Sequence, residues 1–312
     1  MPQIREISYI GSELKPHHRL LMAVFIVMAI FLPVVIVTAF SSNINETTKI
    51  SKKVATPKNV SSSPSLGASA TKQPASEQVA PVVADPGINV GGVVSNYEVQ
   101  DKSFGVSIVE LDGKNRTGDY NGDDIFVSAS TYKLFTAYSV LLRIENGSWA
   151  WLDSDIADGR DLIACFNDMV VYSDNDCAEA LMYKISHQTV TDEARVMGCT
   201  DTTFIDSDGY ARTTANDLAL FLTKLYKGQI LTQQSSRDIL INAMKNNVYR
   251  EGIPAGLSGD IVADKVGFID GYLNDAAIVY DAKGDYVLVI LTNNSSWTEI
   301  ASIANEINLL RQ

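Results

Sequence analysis

The strongest hydrophobic signal in the chain is an unbroken apolar run at residues 20–40, which contains no charged residue. A run of about 20 apolar residues is long enough to cross a bilayer as one helix. The alternative is a cleaved signal peptide, but its apolar core would be unusually long and no small-residue cleavage site follows Phe40. The pattern therefore predicts a transmembrane helix over residues 20–40.

The segments on either side of this helix differ in charge and in hydrophobic pattern. Arg5, Lys15 and Arg19 precede it, and basic residues beside a span favour the cytoplasmic side. Residues 41–94 are rich in Ser, Thr, Ala, Val, Lys and Pro without sustained periodicity, which is typical of a disordered linker. We therefore expect a single-pass protein of the cell membrane. Its predicted order is a cytoplasmic N-terminus at residues 1–19, the helix at 20–40, a linker at 41–94 and an extracellular or periplasmic domain at 95–312.

The outer domain opens with a strand pattern and then changes to helical spacing. Residues 104–110 alternate between apolar and polar, and residues 116–120 follow after turn residues, which predicts a β-hairpin. After Ser130, apolar residues recur at helical spacing through Leu134, Tyr138 and Leu141. This places Ser130 at a helix N-terminus and Lys133 one turn along the same face, so that their side chains can meet.

The remaining pattern predicts the rest of the fold. Helical spacing occurs at residues 161–171, 176–185, 191–197, 214–226 and 297–310, and strand patterns occur at 261–268, 274–281 and 286–292. The first two of these helices are separated at residues 172–175, where a loop would present its side chains. The order predicts an α+β fold with three layers, in which an antiparallel sheet is flanked by helices beside an all-helical subdomain.

Composition argues against several classes of function. A net charge of −12 argues against nucleic acid as a partner, because a phosphate backbone is bound by a basic face. His187 is the one histidine beyond the membrane-proximal N-terminus, so imidazoles cannot assemble a zinc site, and we expect no metal and no cofactor. We interpret His187 as a surface residue at a helix end, not as a member of a Ser-His-Asp triad.

Three cysteines, Cys165, Cys177 and Cys199, lie in the outer domain, where disulfides form. Their spacing fits no zinc pattern, and the odd count leaves at least one unpaired. The sequence does not fix the pairing. A bridge between Cys165 and Cys177 is our preference, because it would staple the segment that leads into residues 173–175.

Three short groups of residues carry the candidate chemistry. They are Ser130-Thr131-Tyr132-Lys133, Ser173-Asp174-Asn175 and Lys265-Val266-Gly267. Each has a plain structural interpretation alone, as a helix cap with a solvated lysine, a capped turn and an exposed strand lysine. Their order, with about 40 and then about 90 residues between them, favours a serine nucleophile that is activated without histidine. A serine hydroxyl needs a nearby base, and Lys133 can serve if burial and a cation such as Lys265 lower its pKa.

Residues 97–312 resemble the class A β-lactamases and the wider penicillin-recognising serine hydrolases. The three groups carry this resemblance, together with Thr-Thr-Ala-Asn-Asp-Leu-Ala at residues 213–219 and Arg-Glu-Gly-Ile-Pro-Ala-Gly-Leu at residues 250–257. The resemblance implies an acyl-enzyme mechanism with Ser130 as nucleophile, Lys133 as base, Ser173 as proton relay and Lys265 as second lysine. It also implies an oxyanion site formed by the backbone N–H groups of Ser130 and Phe268. The implied substrate-binding residues are Asn175, Val266, Gly267, Phe268 and Arg250.

The sequence departs from this family in the segment after residue 175. Class A β-lactamases carry a glutamate in an E-x-x-L-N loop, which activates the water that clears the acyl-enzyme. Here the segment is short, lacks that motif and contains two glutamates, Glu179 and Glu193, both predicted to lie inside helices. The sequence at residues 198–209 instead resembles the corresponding loop of the D-Ala-D-Ala peptidases. Asp206 or Asp208 is a candidate to activate water, although a loop-forming Asp turn is the preferred interpretation.

A second departure is Val266, which stands where the family has a threonine hydroxyl that helps to bind the substrate carboxylate. A lost hydrogen bond to a charged group costs about 1.5 to 3 kcal/mol, so penicillin affinity is expected to fall about tenfold or more. Arg250 or Arg212 is a candidate to replace the lost bond to the substrate carboxylate. The alternative interpretation of each arginine is an ordinary charged residue on the surface.

The leading hypothesis is therefore a membrane-anchored extracytoplasmic serine hydrolase of class A β-lactamase type, acting on a β-lactam or a related amide. The alternatives are a D-Ala-D-Ala carboxypeptidase or endopeptidase that acts on peptidoglycan stems, and a penicillin-binding sensor that does not turn over. The expected partners are a small-molecule β-lactam or a D-Ala-D-Ala peptide and, through the N-terminal helix, the membrane. We expect the catalytic domain to be monomeric.

Overall fold

The computed structural model describes residues 87–99, 101–204 and 208–311. The predicted cytoplasmic segment, the transmembrane helix and the linker up to residue 86 lie outside the described residues. No helix within the described ranges is long and apolar enough to cross a membrane.

A five-stranded antiparallel sheet lies at the centre of the domain. The described residues form seven strands, five in this sheet and two in a separate pair. They are β1 (Ser103–Glu110), β2 (Thr117–Tyr120), β3 (Phe126–Val127), β4 (Arg212–Thr213), β5 (Ile261–Ile269), β6 (Tyr272–Tyr280) and β7 (Tyr286–Asn293). The main sheet has the order β2-β1-β7-β6-β5, and β3 pairs with β4 separately. The structure confirms the predicted hairpin and the three C-terminal strands, with ends that shift by one or two residues. Because β5 is an edge strand, half of its backbone polar groups face away from the sheet.

Helices cover both faces of this sheet. They are α1 (Gly91–Val94), α2 (Lys133–Glu145), α3 (Leu162–Val171), α4 (Asn175–Ile185), α5 (His187–Met197), α6 (Ala215–Tyr226), α7 (Gln234–Lys245), α8 (Ile253–Gly256) and α9 (Trp297–Leu309). One core lies between α2 to α7 and the sheet face that carries Ala263, Ile278 and Val289. A second core lies between α1, α8, α9 and the opposite face, with Phe104 and Ile290. The structure thus confirms an α+β fold with an antiparallel sheet between helices.

Two of the longer helices differ clearly from the sequence prediction, and the short helices α1 and α8 were not predicted. α5 begins four residues earlier than predicted, because the Ser186 hydroxyl caps it by accepting a hydrogen bond from the Thr189 N–H at 3.2 Å. α7 was not predicted from the sequence: it has no side-chain cap at Gln233, and its buried positions are the polar Ser236 and the apolar Leu240, Ala243 and Met244. A short apolar stripe without a start signal gives little helical periodicity.

Residues 87–94 belong to the folded domain, whereas the sequence analysis assigned them to the linker. Ile88, Val90, Val93 and Val94 are buried in the second core. The Ile88 N–H donates to the carbonyl oxygen of Thr117 at 2.9 Å, which adds a backbone bond beside β2. This segment could not be assigned from the sequence, because it is too short and too rich in glycine to show a periodic pattern. It reads Gly-Ile-Asn-Val-Gly-Gly-Val-Val.

A disulfide between Cys165 and Cys177 joins α3 to α4. This confirms the preferred pairing, and Cys199 is free and buried. The bridge spans the turn at residues 172–174, so it ties together the two helices that present Ser173 and Asn175.

Candidate active site

Ser130 lies in a 3-10 helix, Ala129–Tyr132, that leads directly into α2. The carbonyl of Ser128 accepts hydrogen bonds from the Thr131 N–H at 3.2 Å and from the Thr131 hydroxyl at 2.7 Å. The side-chain amide of Asn274, which is buried on β6, donates to the carbonyl oxygens of Val127 and Ser128 at 2.9 and 3.1 Å. The sheet therefore holds the segment that carries Ser130. Sequence reasoning missed Asn274, although an asparagine inside a largely apolar strand was a usable signal.

The side chain of Lys133 is fully buried, and its Nζ is bonded to the turn between α3 and α4. It donates to the Ser173 carbonyl oxygen at 2.6 Å, to Asn175 Oδ1 at 2.7 Å and to Ser173 Oγ at 3.4 Å. Burial lowers the pKa of Lys133 to about 8, although the negative charges of Asp174 and Glu179 act in the opposite direction. Within the described residues, the hydrogen bonds of Nζ go to this turn and not to Ser130 Oγ.

The turn at Ser173 is strained and firmly held. Ser173 has a φ of +58°, a region that non-glycine residues rarely occupy and that costs on the order of 1 to 3 kcal/mol. Asp174 caps α4 by accepting a hydrogen bond from the Cys177 N–H at 2.8 Å, and it pairs with Arg160 at 3.3 Å. The cap, the ion pair and the nearby disulfide fix the position of the Ser173 hydroxyl.

Lys265 approaches the same hydroxyl from β5. Its Nζ donates to Ser173 Oγ at 2.9 Å and to the carbonyl oxygen of Val266 at 2.9 Å. Burial, followed by the positive charge of Lys133, lowers the pKa of Lys265 to about 7. The Ser173 hydroxyl thus lies between two lysines whose ammonium forms are both disfavoured by burial.

The edge of β5 faces the 3-10 helix. The carbonyl oxygens of Val262, Asp264 and Val266 all accept hydrogen bonds from side chains and not from a neighbouring strand, the donors being Arg250, Asn247 and Lys265 respectively. Since the N–H and C=O of one strand residue point the same way and alternate residues share a direction, the Phe268 N–H also faces outward.

Gly267 brings β5 into contact with the backbone around Ser130, the candidate nucleophile. A Cβ on Gly267 would lie 2.7 Å from the Ser130 nitrogen and 2.8 Å from the Thr131 nitrogen. The Ser130 N–H and the Phe268 N–H are therefore on neighbouring segments that face each other. Two such donors are the components of an oxyanion site.

Arg250 and Val266 have partners inside the protein. Arg250 pairs with the buried carboxylate of Asp264 and donates to the Val262 carbonyl at 3.0 Å. The Val266 side chain is fully buried and lies opposite Asp275 in the sheet. Burial raises the pKa of Asp275 to about 7, and burial together with Asp275 raises the pKa of Asp264. Contact of Arg250 and Val266 with substrate stays a prediction.

The loop before β4 provides no free carboxylate at Asp208. Asp208 pairs with Arg212, and its Oδ1 accepts a hydrogen bond from the Tyr210 N–H at 3.1 Å. This is the Asp turn that the sequence analysis preferred. Asp206, the other candidate, lies outside the described residues.

A cavity of about 960 Å³ opens beside Ser130. Its lining includes Ser130, Tyr132, Asn175, Asp176, Glu179, Tyr183, His187, Tyr210 and Phe268. His187 is exposed at the first position of α5, as predicted for a helix-end residue. Among the described residues there is no group of three or more His, Cys, Asp or Glu side chains that could hold a metal ion.

The antiparallel sheet between helices is the fold of PBP-A and of the class A β-lactamases. Residues 92–309 match the model of the β-lactamase enzyme family, and the chain belongs to this family. The resemblance noted from the sequence is thereby confirmed. A comparison with curated proteins finds no match.

Solved structures support the same fold. The structure of PBP-A superimposes with a TM-score of 0.66 at 20% identity, covering 70% of this chain and 94% of PBP-A. The reconstructed class A β-lactamase of the last common ancestor of Gram-negative bacteria gives a TM-score of 0.66 at 21% identity, covering 72% and 99% of the two chains. The β-lactamase from Sphaerobacter thermophilus gives 0.64 at 20% identity, covering 71% and 94%. A variant of PBP-A has been captured as an acyl-enzyme complex with penicillin G.

Proposed function

We propose that the protein is a membrane-anchored, extracytoplasmic serine hydrolase of class A β-lactamase type, which forms an acyl-enzyme on Ser130 with a β-lactam or a related amide. The observation that carries this proposal is the position of the Ser173 hydroxyl, 2.9 Å from Lys265 Nζ and 3.4 Å from Lys133 Nζ. These contacts supply a route by which a proton held by Lys133 can pass through the Ser173 hydroxyl. The acyl-enzyme of the PBP-A variant with penicillin G is consistent with this chemistry on the same fold.

Acylation begins when Ser130 Oγ attacks the carbonyl carbon of the amide. The free amine of Lys133 accepts the hydroxyl proton, and its lowered pKa makes that form accessible near neutral pH. Catalytic hydrogen bonds of free enzymes often tighten when substrate binds, so the present bonding of Lys133 to the Ser173 turn is compatible with this role. The carbonyl oxygen becomes an oxyanion between the N–H groups of Ser130 and Phe268, and such a donor lowers the barrier by about 3 to 4 kcal/mol.

Collapse of the tetrahedral intermediate breaks the bond between carbon and the leaving nitrogen. The proton held by Lys133 reaches that nitrogen through the Ser173 hydroxyl, which Lys265 orients. Ser130 is left as an ester. The Asn175 amide, fixed by its bond to Lys133 Nζ at 2.7 Å, presents a donor for the substrate amide.

Turnover of a chromogenic cephalosporin tests this function. We expect hydrolysis by the wild-type protein and none by Ser130→Ala. Ser148→Ala is the matched control, because the Ser148 hydroxyl bonds to Asn146 Oδ1 at 2.6 Å in a loop outside the cavity lining. Equal hydrolysis by the wild type and Ser130→Ala would contradict the proposal.

The membrane anchor rests on the apolar run at residues 20–40 and on the basic residues that precede it. We expect the full chain to sediment with membranes and a variant that lacks residues 1–40 to remain in the supernatant. Sedimentation of the shortened variant with the membranes would contradict an anchor at this place.

A D-Ala-D-Ala peptidase is the second candidate. It is favoured by the short segment after Asn175, which lacks the E-x-x-L-N motif of class A β-lactamases. Release of D-alanine from a pentapeptide stem, lost in Ser130→Ala, would select this candidate. Cephalosporin turnover without release of D-alanine would select the first.

A further inference from the structure

The acyl-enzyme of the proposed function must be hydrolysed if Ser130 is to act again. The attacking water needs a base that faces the ester, because water itself is a weak nucleophile. Lys133 Nζ is bonded to Ser173 and Asn175 on the side of the leaving group. The base for the water is therefore to be sought among the other titratable groups of the cavity. These include Asp158, Asp176, Glu179 and His187.

Glu179 stands out by its position on α4. It follows Asn175 by four residues, so the two side chains lie on the same helix face, about 6 Å apart along the axis. Asn175 Oδ1 is bonded to Lys133 Nζ at 2.7 Å, which places this face directly over the catalytic lysine. Glu179 and Ser130 line the same cavity. A long carboxylate one turn beyond Asn175 thus lines the cavity that also contains Ser130.

The charge of Glu179 affects the pKa values of Tyr132 and Lys133, which lie two and three residues after Ser130. After burial, it is the cause that raises the pKa of Tyr132 to about 12. It also opposes the lowering of the Lys133 pKa. A carboxylate whose charge acts on Tyr132, at the end of the 3-10 helix, and on Lys133, at the start of α2, is close to the segment that carries Ser130.

The other carboxylates of this region are less suitably placed. Asp158 pairs with Arg160 at 3.6 Å in a separate loop. Asp176 is one residue after Asn175, and successive residues of a helix point about 100° apart. Glu193, the second glutamate of the segment, pairs with Arg143 at 3.1 Å and is absent from the described cavity lining.

We propose that Glu179 is the general base of deacylation, supplied from a helix in the absence of a loop glutamate. The inference rests on the proposed acyl-enzyme function. A water molecule forms a bond to the ester carbon while its proton passes to the Glu179 carboxylate, and the oxyanion again lies between the Ser130 and Phe268 N–H groups. The bond between the carbon and Ser130 Oγ then breaks, Oγ regains a proton from the Glu179 carboxyl, and the carboxylic acid product leaves.

The test uses the full chain with penicillin G and follows intact mass over time. In the wild type we expect a transient adduct, whereas Glu179→Gln still forms the adduct and loses it about 100-fold or more slowly. Glu193→Gln is the matched control, and we expect it to deacylate like the wild type. Because Glu179 is exposed, its replacement by an isosteric amide should leave the melting temperature unchanged.

Three outcomes would overturn the inference and are distinguishable. If Glu179→Gln deacylates at the wild-type rate, Glu179 is not the base and the proposed hydrolase stands. If His187→Gln accumulates the adduct and Glu179→Gln does not, the imidazole at the start of α5 is the base. If the wild type forms no adduct on Ser130, or a permanent one, the proposed turnover itself fails.

Discussion

Gly267→Ala tests whether the close approach of β5 to the 3-10 helix sets the geometry for acylation. The new Cβ would lie 2.7, 2.8 and 2.9 Å from the backbone nitrogens of Ser130 and Thr131 and the Ser128 oxygen. All three atoms belong to the backbone, so no side chain can rotate away. An ordinary contact begins at 3.4 Å, so Ser130 and β5 must separate by about 0.7 Å. A displacement of about 1 Å costs on the order of 100-fold in rate, which predicts a loss of about 10- to 100-fold.

The assay is stopped-flow acylation by a fluorescent penicillin, with thermal unfolding measured in parallel. Overpacking of this kind costs about 1 to 3 kcal/mol, so we expect Gly267→Ala to remain folded with a lowered melting temperature. Gly91→Ala is the control, because its Cβ would meet only ordinary contacts, the nearest being a Tyr120 side-chain atom at 3.4 Å. Acylation of Gly267→Ala at the wild-type rate would refute the argument that this contact positions Ser130.

Three further predictions follow from the same geometry. Acylation should become faster as pH rises to about 8 and level off above it, because the proposed base is the free amine of Lys133 and burial lowers the pKa of this lysine to about 8. At pH 6 the rate should be about 100-fold lower, and a flat profile in stopped-flow measurements would contradict this role. Asn274→Ala removes the donor to the Val127 and Ser128 carbonyls, so denaturant unfolding should show a free energy of unfolding lower by about 1 to 3 kcal/mol, and acylation should slow. Unchanged acylation would mean that these bonds do not position Ser130. Replacement of Cys165 and Cys177 by serine opens a bridge between residues 12 apart and should lower the free energy of unfolding by about 3 kcal/mol, whereas an unchanged denaturation midpoint would show that the bridge adds no stability.

Helices and strands were predictable where the periodicity of apolar residues agreed with capping or turn residues at the ends of the segment. The strand at residues 261–269 and the helix at 215–226 have clear apolar patterns, and the helix begins at Thr214, whose hydroxyl caps it. Residues 87–94 gave no such pattern, because their apolar side chains are buried by a sheet edge that is distant in sequence. Tertiary burial of a short, glycine-rich segment leaves no local signature.

The spacing of the three groups predicted which residues come together at the candidate site, but it did not predict the hydrogen bonds between them. The short groups at residues 130–133, 173–175 and 265–267 indicated which residues meet, and the structure does bring Lys133, Ser173, Asn175 and Lys265 together. That Lys133 bonds to the Ser173 turn depends on side-chain conformation, which a motif does not encode. Glu179 was set aside because it was predicted to lie inside a helix and not in an E-x-x-L-N loop. Only the position of α4 over Lys133 shows that its face borders the cavity.

The central claim is that Ser130 is the residue acylated by this chain. Intact-mass spectrometry of the full chain with penicillin G, followed by peptide mapping, tests it most directly. We predict the addition of one penicillin, mapped to Ser130, and no addition to Ser130→Ala. An adduct on another residue, an equal adduct on Ser130→Ala, or no adduct on the wild type would contradict the account.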